Sequence, residues 1–150
     1  MNPNLIDQLK RHEGFRGRPY DDLTGMTIKW AMWILGKATI GYGHNLDAAP
    51  ICEAAAEVQL IHDVTITEAA LIGAAPWYLD LDAVRKAAIL NMAFNMGVNN
   101  LMQFRNMIAA LIGGDYDRAA TEALDSKWSS QVGRRAWELA EQIRTGEYQT

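Results

Sequence analysis

Hydrophobic positions along this chain recur at two different spacings, and the change between them organises it. Leu5, Ile6 and Leu9 repeat at helical intervals behind Asn2-Pro3, an N-cap followed by proline at the first helical position. Gly14 supplies a stop, so a short helix ending near Glu13 is expected. Between 15 and 46, Gly17, Pro19, Gly25, Gly36, Gly41 and Gly43 break short β-branched and aromatic stretches, which predicts tight turns joining two or three short strands. From Pro50 onward the period is helical. Residues 50–73 read as an alanine-rich helix with Val58, Ile61 and Val64 near one face. Asp80 or Asp82 can cap a helix running through Val84, Ala87, Ala88, Leu90 and Phe94 to Gly97, and Leu101 to Ile112 reads as another, stopped by Gly113-Gly114. Asp115 caps a helix to about Leu124, and Gly133 to Arg144 forms the last, ended by Gly146. The expected class is α+β, mostly α, with a small sheet near the N-terminus and a helical second half.

Composition fits one soluble globular domain: 150 residues, 49% hydrophobic and 21% charged. No apolar run exceeds six residues, the length of Trp30 to Leu35, against roughly 18–20 for a membrane-crossing helix. Residues 1–20 show no secretory signal, and the single cysteine, Cys52, can close no intramolecular disulfide, so folding in a cytoplasm is expected. The net charge of −4 argues against nucleic acid as a partner. All the excess acid lies in the middle, where residues 40–84 carry seven acidic and no basic side chains.

Serine, cysteine and metal chemistry find no support. There is no G-x-S-x-G, and His12, His44 and His62 lack metal-ligand spacing. Gly41-Tyr42-Gly43 lacks the third glycine of a phosphate loop. Carboxylates remain. Glu13 sits at the C-terminal end of the first helix, beside unsatisfied carbonyls that favour a neutral, proton-donating carboxyl. Asp22 lies nine residues later in a turn-rich segment. Two carboxyls in contrasting settings suit glycoside hydrolysis, one to protonate the leaving oxygen and one to activate water. The same spacing also suits a solvated helix end and a turn cap.

Glu13-Gly14-Phe15-Arg16, then Tyr20, Asp22 and Gly25, then Thr39-Ile40-Gly41-Tyr42-Gly43-His44, resembles the signature of the phage-type lysozymes, the endolysin muramidases. Arg85 to Gly97, Phe104-Arg105-Asn106, Lys127-Trp128 and Arg144-Thr145-Gly146 resemble the same family's C-terminal lobe. The resemblance implies a single lysozyme-like domain over 1–150, with a small α+β lobe (1–48), a connecting helix (49–75) and a helical lobe (76–150). It implies a peptidoglycan-binding cleft between lobes and a catalytic trio of Glu13, Asp22 and Thr39. Glu13 would protonate the glycosidic oxygen after N-acetylmuramic acid, while Asp22, with the Thr39 hydroxyl as partner, would orient and deprotonate water, giving inversion. Asn45, Phe94 and Asn95 fall where the family faces substrate. Arg16, Tyr20 and His44 fall near the site as scaffold, Arg16 and His44 pairing with carboxylates and Asp63 being a candidate for His44. The expected partner is bacterial peptidoglycan, met by a monomer with no cofactor and no metal. Release from the host cytoplasm to the wall would need a separate membrane-permeabilising protein.

One departure stands out: Thr39 follows Asp22 by 17 positions, where the family pattern places it six after. Deleting the eleven residues Met26 to Gly36 would restore that spacing. As a strand the insert would put Met26, Ile28, Trp30, Met32 and Ile34 on one face, and as a helix it would be apolar almost all round. It reads as an elongated hairpin, an added helix, a flap over the cleft or a membrane-contacting wedge. Two other functions therefore stay open, a noncatalytic peptidoglycan-binding scaffold and a membrane-active protein working through 26–36.

Overall fold

The structure, a computed structural model, describes residues 3–149. Helix α1 (Pro3–Glu13) leads into a three-stranded antiparallel sheet in the order β1 (Arg16–Asp21), β2 (Ala38–Gly41), β3 (His44–Asn45). Then follow α2 (Glu53–Ala74), a single 3₁₀ turn (Pro76–Asp80), α3 (Ala83–Met96), α4 (Val98–Leu101), α5 (Arg105–Ile112), α6 (Tyr116–Leu124), α7 (Lys127–Val132) and α8 (Arg134–Thr145). The class is α+β and mostly helical, as the periodicity predicted. Two compact units divide the chain, one up to Glu57 and one from Val58. No helix of the described residues is long and apolar enough to cross a membrane.

The two units are held by different forces. In the second, Leu71, Tyr78, Ile89, Met92, Leu101, Met107 and Ile143 are fully buried, a continuous apolar core of the ordinary kind. Asp82 caps α3 by accepting from the Val84 and Arg85 N–H groups. Arg85 then bonds the Ile143 and Arg144 carbonyls at the C-terminal end of α8 and stacks on Tyr116 at 3.6 Å. Buried in the same unit, Tyr78 donates its hydroxyl to Glu68 at 2.8 Å.

In the first unit no apolar side chain is fully buried among the described residues; its buried positions are Asp21 and Thr39. Backbone hydrogen bonds and the carboxylates of Asp21, Asp22 and Asp47, which accept from backbone N–H groups, do the organising there.

Three expectations are corrected. The Leu101–Ile112 helix is two pieces, broken at 102–104, because Leu101 and Met107 both enter the core and the chain must bend to bury both. A further helix, α7, lies where none was expected, capped by Ser126 through its bond from the Ser129 N–H at 3.1 Å. The 26–36 insert is neither an elongated hairpin nor a helix: Thr27 makes one bridge to Tyr20, and the remainder is irregular with a tight turn over 29–32.

Candidate active site

Glu13 is the last residue of α1, and Gly14, with φ +66°, turns the chain into β1. The exposed Glu13 carboxylate reaches the tight turn between β2 and β3. A Cβ built on Gly43 would stand 2.8 Å from Glu13 Oε2, the far end of a side chain free to turn aside, and Gly43 holds φ +74°, so it is the backbone conformation that calls for glycine there. Ile6, Leu9, Lys10, Glu13, Tyr42 and Gly43 line a groove of about 380 Å³. Tyr42 packs against Phe15 with ring centres 5.4 Å apart, and the Lys10 ammonium lies 6.0 Å from the Tyr42 ring.

Asp22 and Thr39 meet through a peptide rather than directly. The Asp22 N–H donates to the Lys37 carbonyl at 3.0 Å, and the Lys37 N–H donates to Asp22 Oδ1 at 2.6 Å. The Thr39 hydroxyl donates to the same Lys37 carbonyl at 3.3 Å. Lys37 thus lies between the Asp22 carboxylate and the Thr39 hydroxyl. Despite the long insert, both ends of the segment close on β1, which is why Asp22 and Thr39 still share one stretch of backbone.

Asp21 is the residue that sequence reasoning missed. Its fully buried carboxylate accepts from the Leu35 N–H at 2.8 Å, Leu23 at 2.9 Å, Gly36 at 3.0 Å and Thr24 at 3.3 Å. Desolvation alone would raise its pKa, but the donors from Leu35, Leu23, Thr24 and Gly36 outweigh it and hold the carboxyl below its ordinary value. A Cβ on Gly36 would come 2.6 Å from Asp21 Oδ1 and closer still to Asp22 Oδ1. The available signal was Gly36 itself, a glycine fourteen residues after an Asp-Asp pair, and it gives no direction without the fold.

Other residues take roles different from those expected. Among the described residues Arg16 pairs with no carboxylate: Nη2 donates to the Gly25 carbonyl at 2.6 Å and the guanidinium stacks on Tyr20 at 3.9 Å. That contact braces the turn after Asp22 from the strand that carries Tyr20. Asp63 accepts from Gln59, one turn earlier in α2, at 2.8 Å. His44 lies exposed in β3, paired in register with Ile40. Asn45 Oδ1 accepts from the Asp47 and Ala48 N–H groups at 2.9 and 3.1 Å, an Asx-type turn that leaves only its amide nitrogen for a ligand.

In the second unit, Asn95 Oδ1 accepts from the buried Trp128 indole N–H at 2.8 Å, so its carbonyl end is committed to the scaffold. Phe94 is half exposed and lines a groove with Ile66, Thr67, Ala70, Ala74 and Val98. A separate hollow of about 450 Å³ is lined by Phe104, Arg105, Asn106, Glu122, Lys127 and Trp128 among others. Among the described residues no group of three or more His, Cys, Asp or Glu could hold a metal ion.

Comparison with known proteins places this geometry. The pre-baseplate central spike protein Gp5 of Enterobacteria phage T4 is 26% identical over 175 aligned residues, covering 97% of this chain and 28% of that protein. Two probable T4-type lysozymes of Dictyostelium discoideum are 38% and 32% identical over 69 residues, 46% of this chain and 41% of each of theirs. The chain therefore spans less than half the length of these curated relatives. The family model described as phage lysozyme matches residues 10–144, a stretch that holds Glu13, Asp22 and Thr39 and runs on through all but the last residue of α8. By that match the chain belongs to the phage lysozyme family.

Proposed function

We propose that this protein is a muramidase, hydrolysing the β-1,4 bond between N-acetylmuramic acid and N-acetylglucosamine in bacterial peptidoglycan with inversion at the anomeric carbon. Family membership supports the reaction class. The observation that carries the residue assignment is the shared Lys37 peptide, which keeps Asp22 beside Thr39 across the long insert. Glu13 gives its proton to the glycosidic oxygen as the bond from that oxygen to the anomeric carbon breaks. A water on the opposite sugar face attacks that carbon and loses a proton to Asp22, with Thr39 orienting it. Positive charge developing on the ring is met by the Asp22 carboxylate, which stands exposed on its Lys37 donor. Phe94 would supply an apolar face to a sugar. Asn45 and Asn95 would contribute only the amide nitrogens that their turn and indole contacts leave free.

The cellular role that fits is lysis of a bacterial host, the enzyme reaching the wall through a separate membrane-permeabilising protein. The test is Glu13→Gln, which keeps shape and removes the proton donor. Turnover of purified peptidoglycan should fall about 10²–10⁴-fold with unfolding unchanged. The first product, followed by NMR, should be the α-anomer. Near-normal turnover of the variant would remove Glu13 from the mechanism, and a β-anomer would make Asp22 a nucleophile.

A further inference from the structure

The segment 23–36 leaves in water what a soluble surface ordinarily hides. Trp30 is 98% exposed and Trp33 89%, and Leu23, Met26, Ile34 and Leu35 are exposed beside them in sequence. This exposure is built by the backbone. The Met32 N–H donates to the Lys29 carbonyl at 3.1 Å, closing a turn with Trp30 and Ala31 at its corners. Ala31 holds φ +60°, a conformation that residues with a Cβ rarely adopt. The neck is fixed: Ile28 N–H bonds the Pro19 carbonyl at 2.9 Å, Asp21 takes the Leu35 and Gly36 N–H groups, and Asp22 takes that of Lys37. A braced neck thus carries an apolar tip.

Charge and polarity decide the occupant. Residues 23–36 carry one charge, Lys29, and no carboxylate. Residues 10–37 carry six basic side chains against three acidic ones, of which Asp21 is buried under its donors. Tryptophan favours the headgroup region, with its indole body among acyl chains and its N–H in the wet layer, and the lysine stem reaches back to phosphate. A basic surround is drawn to an anionic leaflet. A sugar platform would set its aromatic rings among amides and carboxylates. Here only Thr24 and Thr27 offer hydroxyls, and Thr24 Oγ1 already accepts from the Met26 N–H at 3.3 Å.

We propose that the 23–36 loop is an interfacial anchor that seats Trp30 and Trp33 in the headgroup region of a bilayer rich in anionic phospholipid. The anchor is independent of the hydrolytic reading, since its membrane contacts come from Trp30, Trp33 and Lys29, and Asp22 serves it only through the backbone of the neck. It would hold the protein at a membrane surface without crossing it.

Flotation of the full chain with vesicles of phosphatidylethanolamine and phosphatidylglycerol tests this, with phosphatidylcholine vesicles and insoluble peptidoglycan run in parallel. The wild type should float with the anionic vesicles, less so at high salt and less on phosphatidylcholine. The double variant Trp30→Ala/Trp33→Ala should lose at least about tenfold in partitioning. Lys29→Ala should lose about fivefold on anionic vesicles and nothing on phosphatidylcholine. Because both indoles lie in solvent, the double variant should keep the wild-type unfolding midpoint and its hydrolysis of soluble fragments. Bromine-labelled acyl chains should quench wild-type tryptophan fluorescence, a readout that needs no substitution. Failure of the wild type to float, absence of quenching, or undiminished flotation of the double variant would overturn the proposal. Loss of peptidoglycan retention by the double variant, with no flotation of either protein, would assign the tryptophans to glycan instead.

Discussion

Replacing Gly36 by alanine adds one methyl group where the 23–36 loop returns to β1. That methyl would stand 2.6 Å from Asp21 Oδ1 and 2.7 Å from Leu23 Cβ, and in still closer conflict with Asp22 Oδ1. Gly36 is not among the glycines at positive φ, so alanine meets no backbone strain and the effect is steric alone. Neither carboxylate can swing aside freely, because Asp21 Oδ1 holds the Leu23, Thr24 and Gly36 N–H groups and Asp22 Oδ1 holds that of Lys37. Overpacking of this kind destabilises by about 1–3 kcal/mol. The reduced freedom of alanine in the unfolded chain offsets about 0.4–1 kcal/mol. The net loss is about 1.3 kcal/mol at mid-range, with an upper end of about 2.6, which for a chain of 150 residues lowers Tm by about 3–5 °C at mid-range.

Thermal unfolding followed by circular dichroism measures this, and Gly73→Ala in α2 is the control. A Cβ at Gly73 meets nothing within 4 Å, so alanine there should stabilise by about 0.5–1 kcal/mol through helix propensity. Displacement of Asp22 should also lower kcat of Gly36→Ala on peptidoglycan fragments by roughly 10²-fold, with KM little changed. If Gly36→Ala unfolds at the wild-type temperature, the carboxylates do not pack against the loop neck as described, and the account of how the insert is held fails with them.

Two further outcomes follow from particular contacts. Asp21 titrates lower in the folded chain than its ordinary 3.8, so its stabilisation is complete above that value and is lost as pH falls through the lowered one. Acid unfolding of Asp21→Asn should therefore show a flatter limb below pH 3.8 than wild type, and identical limbs would refute the four-donor description. Asn95→Ala leaves the Trp128 indole N–H unpaired in a buried setting and should lower stability by about 1–3 kcal/mol, read by urea unfolding. A raised KM with unchanged stability would show instead that Asn95 serves the sugar and not the scaffold.

Most helices were legible because their signals are local. The Asp82 and Asp115 caps and the Gly97 and Gly146 stops each act within one turn of the residues they punctuate, and the expected Asn2 cap lies outside the described residues. The break at 102–104 was not legible, since apolar periodicity runs straight through it and only the shared core forces Leu101 and Met107 inward from separate helices. Helix α7 was missed although Ser126 is an acceptable cap, because six residues give too short a period to read.

At the site, residue types and spacing raised Glu13 and Asp22 as candidate carboxylates and the resemblance to the phage-type lysozymes added Thr39, but neither could say which of two adjacent aspartates would be buried. Asp21 and Asp22 are chemically alike. What separates them is a set of backbone donors, two of which, Leu35 and Gly36, lie fourteen and fifteen positions away and arrive only when the chain folds back. The insert shows the same division. Its composition announced an apolar segment, while backbone hydrogen bonds to the Pro19 carbonyl and the Asp21 and Asp22 carboxylates decided that it would be neither strand nor helix. A braced loop with two tryptophans in solvent resulted, because a backbone donor is satisfied by whichever acceptor the fold brings near, and sequence carries no record of that distance.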